Sequence, residues 1–263
     1  MTDLKTYRGT FVVIMVLILS ILGCNRATRL ESQDTDFRFN RGKQRFQEQK
    51  YYKAIDDFNF VVLNSPGDER ADDAQLFLAD SHFEMKEYMV AASEYRRLVQ
   101  RYPESPLVEQ ARYKLGLCLV NLSPHYQLQQ EYTRQAINTL QGFVEDYPYS
   151  VHAEEVTQLI EELRIKLAHK IYSNAHLYFI LRQYDSALIY YEQLINNYYD
   201  TPWANLARLE RAKSLLKLGR PTEARTQLED LLQREPKREI RTEAQRLLEN
   251  NPPEPSAVTQ AER

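Results

Sequence analysis

Between Phe37 and Leu248 the apolar residues recur at helical spacing, and one arrangement of them is written five times. Ala54, Ala91, Ala136, Ala187 and Ala224 set the register. Four residues after each stand Phe58, Tyr95, Leu140, Tyr191 and Leu228, and eight after stand Val62, Val99, Val144, Ile195 and Leu232. A single apolar stripe of this kind predicts an amphipathic helix in each copy. Twelve after the alanines come Pro66, Pro103, Pro148, Tyr199 and Pro236. Four of the five are proline, which is not tolerated in a helix interior, so those four helices end ahead of it.

A second helix precedes each of these. Twelve residues before the anchor stand Gly42, Ala79, Ala175 and Ala212, and eight before stand Phe46, Phe83, Phe179 and Leu216. The small residue suits a close approach of paired helices, and the large one fills the groove between pairs. Tyr51, Tyr88 and Tyr184, three before the anchor, fall at the joining turn. The anchors are separated by 37, 45, 51 and 37 residues, so the third and fourth copies carry insertions of eight and fourteen. In the third, Gly116 and Val120 take the small and large positions, leaving Leu122-Ser123-Pro124-His125-Tyr126 and its polar sequel as a lengthened loop. In the fourth, Val156, Leu159, Ile160, Leu163, Leu167, Ile171 and Ala175 keep helical spacing throughout, which lengthens a helix by about four turns, ~21 Å. Ser105-Pro106 and Thr201-Pro202 read as a cap followed by a first-turn proline, and helices are expected to begin there.

The small, aromatic and proline offsets resemble the tetratricopeptide repeat. That resemblance implies an all-α fold, a right-handed α-solenoid of five helix pairs with a C-terminal capping helix over 239–249. The expected units are 37–67, 70–104, 107–149, 151–200 and 202–236. A generic helical bundle would have no need for the proline and the turn tyrosine at one fixed phase.

The N-terminus changes the picture from a bare array to an anchored one. Lys5 and Arg8 precede a nearly unbroken apolar run from Phe11 to Leu22, the layout of a secretory signal peptide over residues 1–23. The run is short of the roughly 20 residues a membrane span needs. Ile21-Leu22-Gly23-Cys24 resembles a bacterial lipobox, although the bulky Leu22 departs from the usual smaller residue. The resemblance implies covalent lipid on Cys24 and no other cofactor, with 24–36 as a polar tether. Asn25 in place of an aspartate resembles the enteric sorting pattern for the outer membrane, facing the periplasm. Residues 250–263, rich in proline and polar residues, are expected to be a disordered tail.

Charge and candidate chemistry remove other function classes. The 34 basic and 37 acidic residues are mixed along the chain, for a net charge of −3, which gives no nucleic-acid footprint. With Cys24 lipidated, Cys118 has no partner for a disulfide and reads as a small buried side chain in an apolar run. His82, His125, His152, His169 and His176 form no zincin pair; His169 and His176, seven apart, share a helix face without a carboxylate or cysteine. Seven glycines include no phosphate loop and no nucleophile elbow. The chain is therefore expected not to be an enzyme and to hold no metal.

The lipobox, the tether, five repeats, the segment from Ser123 to Ala136 and the long fourth-copy helix together resemble the BamD family of the outer-membrane β-barrel assembly machinery, over Phe37 to about Leu248. That resemblance implies a non-catalytic scaffold whose partners are unfolded barrel proteins, the periplasmic domains of the BamA insertase, other lipoproteins of the machinery, and the membrane through the anchor. Arg41, Gln44, Arg45 and Gln75 are the candidates for a client groove, and each also reads as solvated helix surface. Asn205, Arg208 and Arg211 are the candidates for partner docking. Asn205 stands where the family carries an arginine for an interdomain ion pair, and Arg208 lies one turn later. The alternative reading is a cell-envelope organiser that regulates peptidoglycan enzymes; the absence of heptads between Asn25 and Phe37 favours the assembly factor.

Overall fold

A computed structural model describes residues 34–252, and every regular element among them is an α-helix. The signal peptide, Cys24, most of the tether and most of the tail lie outside the described residues. The described residues form eleven helices: α1 (34–47), α2 (Tyr51–Asn64), α3 (Ala71–Glu84), α4 (Tyr88–Arg101), α5 (Val108–Leu122), α6 (Glu131–Asp146), α7 (Ala153–Ile180), α8 (Tyr184–Asn197), α9 (Pro202–Lys217), α10 (Pro221–Gln233) and α11 (Arg238–Asn250). They divide into two compact units that meet in sequence at Leu122 and Ser123, so that α5 belongs to one and α6 to the other. None of these helices is long and apolar enough to cross a membrane.

In the N-terminal unit each helix packs on its sequence neighbours, and the anchor alanines Ala54 and Ala91 are fully buried. Phe39, Phe58, Val61, Val62, Ala74 and Leu78 form one core, and Leu76, Ala79, Ala91, Tyr95, Leu98, Ala111, Leu115 and Cys118 the next. The small positions do what their size suggests: a Cβ on Gly42 would lie 2.8 Å from Phe58 Cε1, inside contact distance. Cys118 is fully buried, and desolvation pushes its thiol up to about 12, as suits a packing residue rather than a nucleophile. Helix α1 is already formed at residue 34, ahead of Phe37, the start that the apolar pattern predicts. Thr35 bonds Ser65 at 2.7 Å and Asp36 pairs with Arg70, which ties this first turn to the α2–α3 turn.

The turn tyrosines have one geometry. Tyr51, Tyr88 and Tyr184 meet Phe46, Phe83 and Phe179 edge-on, at centroid distances of 5.3, 5.3 and 5.4 Å and interplanar angles of 67°, 72° and 66°. In these pairs and in the last one, the first helix ends in a left-handed residue five before the anchor: Gln49 (φ 59°), Lys86 (φ 61°), Arg182 (φ 61°) and Gly219 (φ 71°). The following N–H closes the turn, as in Lys50 N–H to Arg45 O at 2.8 Å and Glu87 N–H to His82 O at 2.9 Å. A side chain is disfavoured there, so Lys86→Gly is expected to stabilise the fold by about 0.5–1 kcal/mol. An unchanged or lower urea midpoint would refute that.

In the C-terminal unit α7 has 28 residues against 14 in α3, its counterpart two repeats earlier, a difference of fourteen and about 21 Å. Arg164 fixes its register: the guanidinium donates to both Asp200 oxygens and to Asn197 O, at the end of α8. Helix α9 starts at Pro202 as expected, with Thr201 extended (ψ 157°), but the threonine hydroxyl donates to Tyr198 O instead of capping. Helix α5 begins at Val108, two residues beyond the expected Pro106; Ser105 Oγ accepts Leu107 N–H and donates to Asp72, which leaves a turn before the helix. Helix α11 packs on α9 and α10 through Ile240, Ala244, Leu247 and Leu248.

Candidate functional site

Arg41 and Arg45 do not stand free on α1. Both are drawn onto Asp57 of α2, whose side chain has no exposure: Arg41 donates through Nε at 3.1 and 3.2 Å, Arg45 through Nη1 at 2.7 Å, and Arg38 lies at 3.5 Å. The hydrogen bond to Asp57 raises the Arg41 pKa. The outer faces of these arginines stay about one-third exposed, with Arg38 over the Phe60 ring at 4.5 Å and Arg41 over Phe37 at 5.0 Å. Gln44 is exposed and bonds Glu48 at 2.9 Å. Gln75 is not groove-lining: it is fully buried, and its amide donates to the Glu94 carboxylate at 2.7 Å and the Glu94 carbonyl at 3.2 Å. The amide nitrogen is satisfied by these inward bonds, while Oε1 has no partner among the described residues.

Of the docking candidates, Arg208 and Arg211 line a cleft of about 200 Å³ between α8, α9 and α10, with Glu192, Asn196, Asp230 and Arg234 among others, while Asn205 lies outside its lining. Arg208 is only 6% exposed, and its one hydrogen bond among the described residues is to Asn205 Oδ1 at 3.1 Å. Burial lowers its pKa, Arg234 lowers it further, and Asp230 offsets them in part. Arg234 is spent on Asp230 at 2.9 and 3.2 Å, which holds the Asp230 carboxyl below its ordinary range. Arg211 reaches Glu192 at 3.5 Å, while its buried Nε has no partner among the described residues. Three guanidiniums thus face two carboxylates, and the cleft has capacity for one more anion. Sequence reasoning reached Arg208 and Arg211 but missed Glu192, Asp230 and Arg234, which come from flanking helices whose outward positions carry no periodic signal.

The loop 123–130 is an ordered clasp. Gln130 is fully buried and donates to His125 O and Leu128 O at 2.8 and 3.0 Å; Lys170 donates to Leu128 O at 2.9 Å, and Lys166 to Ser123 Oγ at 2.8 Å. Tyr126 stacks on His169 at 3.7 Å, and His169 on Trp203 at 4.1 Å. His176 lies parallel to Tyr172. The shared face of His169 and His176 is therefore used for ring packing, and desolvation followed by His125 lowers the His169 pKa. Among the described residues no group of three or more His, Cys, Asp or Glu is placed to hold a metal ion.

A family model described as an outer membrane lipoprotein, YfiO, matches residues 31–248. The chain belongs to the YfiO family. Within it, the chain is similar to a protein of Rickettsia prowazekii (strain Madrid E) named outer membrane protein assembly factor BamD, 23% identical over 187 residues, which are 71% of this chain and 74% of the relative. Among solved structures the YfiO-family chain is similar to the TPR2AB domain of yeast Sti1 (TM-score 0.44, 16% identity, 77% of this chain and 78% of that one). It is also similar to a thermophilic TPR protein of Thermus thermophilus (TM-score 0.35, 21% identity, 81% and 98%). The helix pairs themselves, with their buried small positions and repeated turns, are what identify the tetratricopeptide fold of this YfiO-family member.

Proposed function

We propose that this protein is a non-catalytic scaffold of outer-membrane β-barrel assembly, held at the outer membrane by lipid on Cys24 and facing the periplasm. The N-terminal unit receives unfolded barrel clients, and the C-terminal unit docks the periplasmic domains of a BamA-like insertase. Membership in an outer membrane lipoprotein family and similarity to a named assembly factor support the setting. On α1 the surface offered to clients is the outer edge of Arg38, Arg41 and Arg45 with the exposed ring of Phe37, a pairing of cation and aromatic that suits a chain bearing a carboxylate and apolar side chains.

The observation that carries the docking assignment is Arg208, a buried guanidinium with no carboxylate within ion-pair distance among the described residues. A buried charge left unpaired lowers stability, whereas an apolar side chain of similar volume in its place does not. Arg208→Met is therefore expected to leave the unfolding midpoint unchanged or raise it, by about 1–4 kcal/mol in stability. The same variant is expected to lose the insertase from complexes purified out of detergent-solubilised envelope. Retention of the insertase by a folded Arg208→Met protein would remove the cleft from the docking site, and a lowered midpoint would make the guanidinium structural instead.

A further inference from the structure

The turn between α6 and α7 departs from every other repeat. Thirteen residues after the anchor alanine the other copies carry Gly67, Glu104, Asp200 and Lys237, and this one carries Tyr149; fifteen after, they carry Glu69, Pro106, Pro202 and Glu239, and this one carries Val151. Tyr149 is 98% exposed and Val151 91%, so neither contributes to the packing that its own turn requires. A lone exposed apolar residue is ordinary, but two of them replacing small, charged or proline residues at one tip are not explained by folding.

The tip is an ordered turn that extends past α8. Tyr147 N–H donates to Phe143 O at 2.8 Å, Ser150 N–H to Tyr147 O at 3.1 Å, and Ala153 N–H to Ser150 O at 3.1 Å. Because Arg164 marks the level at which α8 ends, the α7 residues ahead of it, 153–163, run past α8 by about 16 Å. The flanks are acidic: from Gln135 to Leu163 there are six acidic residues and no Lys or Arg, with Glu145, Glu154, Glu161 and Glu162 exposed.

We propose that this tip is a second docking surface, taking a protein partner that presents an apolar socket ringed by Lys and Arg. An ordered turn loses little entropy when it inserts, two exposed apolar side chains supply the anchor, and the carboxylates set the sign of the partner. The same carboxylates repel an anionic lipid surface, which is why the partner is a protein and not the membrane. This surface is separate from the Arg208 cleft and does not depend on what that cleft binds.

The test places a benzophenone amino acid at position 149 of the full-length, anchored protein in its own envelope, with the exposed Tyr52 position as the control. Irradiation should give an adduct from position 149 and none of the same mass from position 52. The captured peptide, mapped by mass spectrometry, should carry Lys or Arg around an apolar residue. Adding Glu145→Lys and Glu154→Lys should reduce the yield about tenfold, as should Val151→Ser, a loss typical of removing an anchor from an interface centre. The unfolding midpoint of each variant should stay unchanged, since all three side chains lie in solvent. Adducts to lipid alone, a captured peptide without basic residues, the same adduct from position 52, or a yield indifferent to these substitutions would overturn the proposal.

Discussion

Arg41→Glu/Arg45→Glu is expected to cost the N-terminal unit about 3–5 kcal/mol, enough to unfold a marginally stable domain, even though both arginines are partly exposed. The cause is Asp57. Its carboxylate is fully buried, and the water it gave up on folding is replaced by guanidinium donors from Arg41 and Arg45, with Arg38 at 3.5 Å. Reversing two of the three removes those donors and sets two carboxylates beside a third that cannot reach solvent. Arg41→Lys/Arg45→Lys keeps the charge but not the paired geometry, so its loss should be smaller. A urea titration followed by circular dichroism separates these outcomes, and hydrogen exchange should rise first in α1 and α2. An unchanged midpoint in the glutamate variant would mean that Asp57 is not held by this ion cluster. The consequence for client binding is practical: weakened binding by this variant reports unfolding, and the exposed edge has to be probed through Phe37 or Gln44 instead.

The sequence read by itself makes Arg41 and Arg45 groove candidates or solvated surface, not partners of a buried carboxylate, and the reason lies in what periodicity measures. The stripe from Ala54 through Phe58 to Val62 locates the buried face of α2, but it assigns inward positions to apolar residues only, and Asp57 sits one residue from Phe58. The signal that could have found the cluster is inside the repeat. The positions of Arg45 and Asp57 are occupied in the fourth copy by Tyr178 and Tyr190, which stack at 5.2 Å and 11°. Two positions that exchange an ion pair for a ring pair are in contact, whatever their polarity. Gln75 reads as a groove position rather than a buried one for the same reason: its partner Glu94 is a polar residue on a neighbouring helix.

Other features were legible because they follow from local physics. The prolines end helices, Pro202 starts one, and the unbroken apolar spacing from Val156 to Ala175 made α7 a single long helix. The left-handed turn residues were invisible because only Gly219 among them is a glycine; Gln49, Lys86 and Arg182 accept the strained conformation because the turn bonds on both sides hold it. The Arg208 cleft is of intermediate kind. The residue type and its helix could be named, but its burial and its lack of a carboxylate depend on three helices meeting, which no single stripe encodes.

Ala79→Leu and Ala212→Leu test the helix pairing that every other assignment assumes. Both alanines are fully buried; Ala79 lies in the core with Ala91, Tyr95 and Leu98, and Ala212 in the core with Leu209, Leu228, Leu231 and Ala244. The clearance at this repeat position is seen at Gly42, where even a Cβ would strike the buried Phe58 ring at 2.8 Å. A leucine adds three carbons beyond the alanine methyl, so the paired helices must separate or the side chain must leave its rotamer, at about 1–3 kcal/mol for each variant. Urea midpoints should fall for both, and unchanged midpoints in both would contradict the assignment of these positions to the helix interface. The second variant also separates geometry from charge at the cleft proposed for docking. Ala212 lies one turn beyond Arg208 on α9, so a leucine there displaces the helix that carries the guanidinium while leaving the guanidinium in place. Ala212→Leu should therefore weaken insertase docking together with stability, whereas Arg208→Met should weaken docking without loss of stability. If docking survives a destabilised but folded Ala212→Leu protein, the insertase does not read the position of α9.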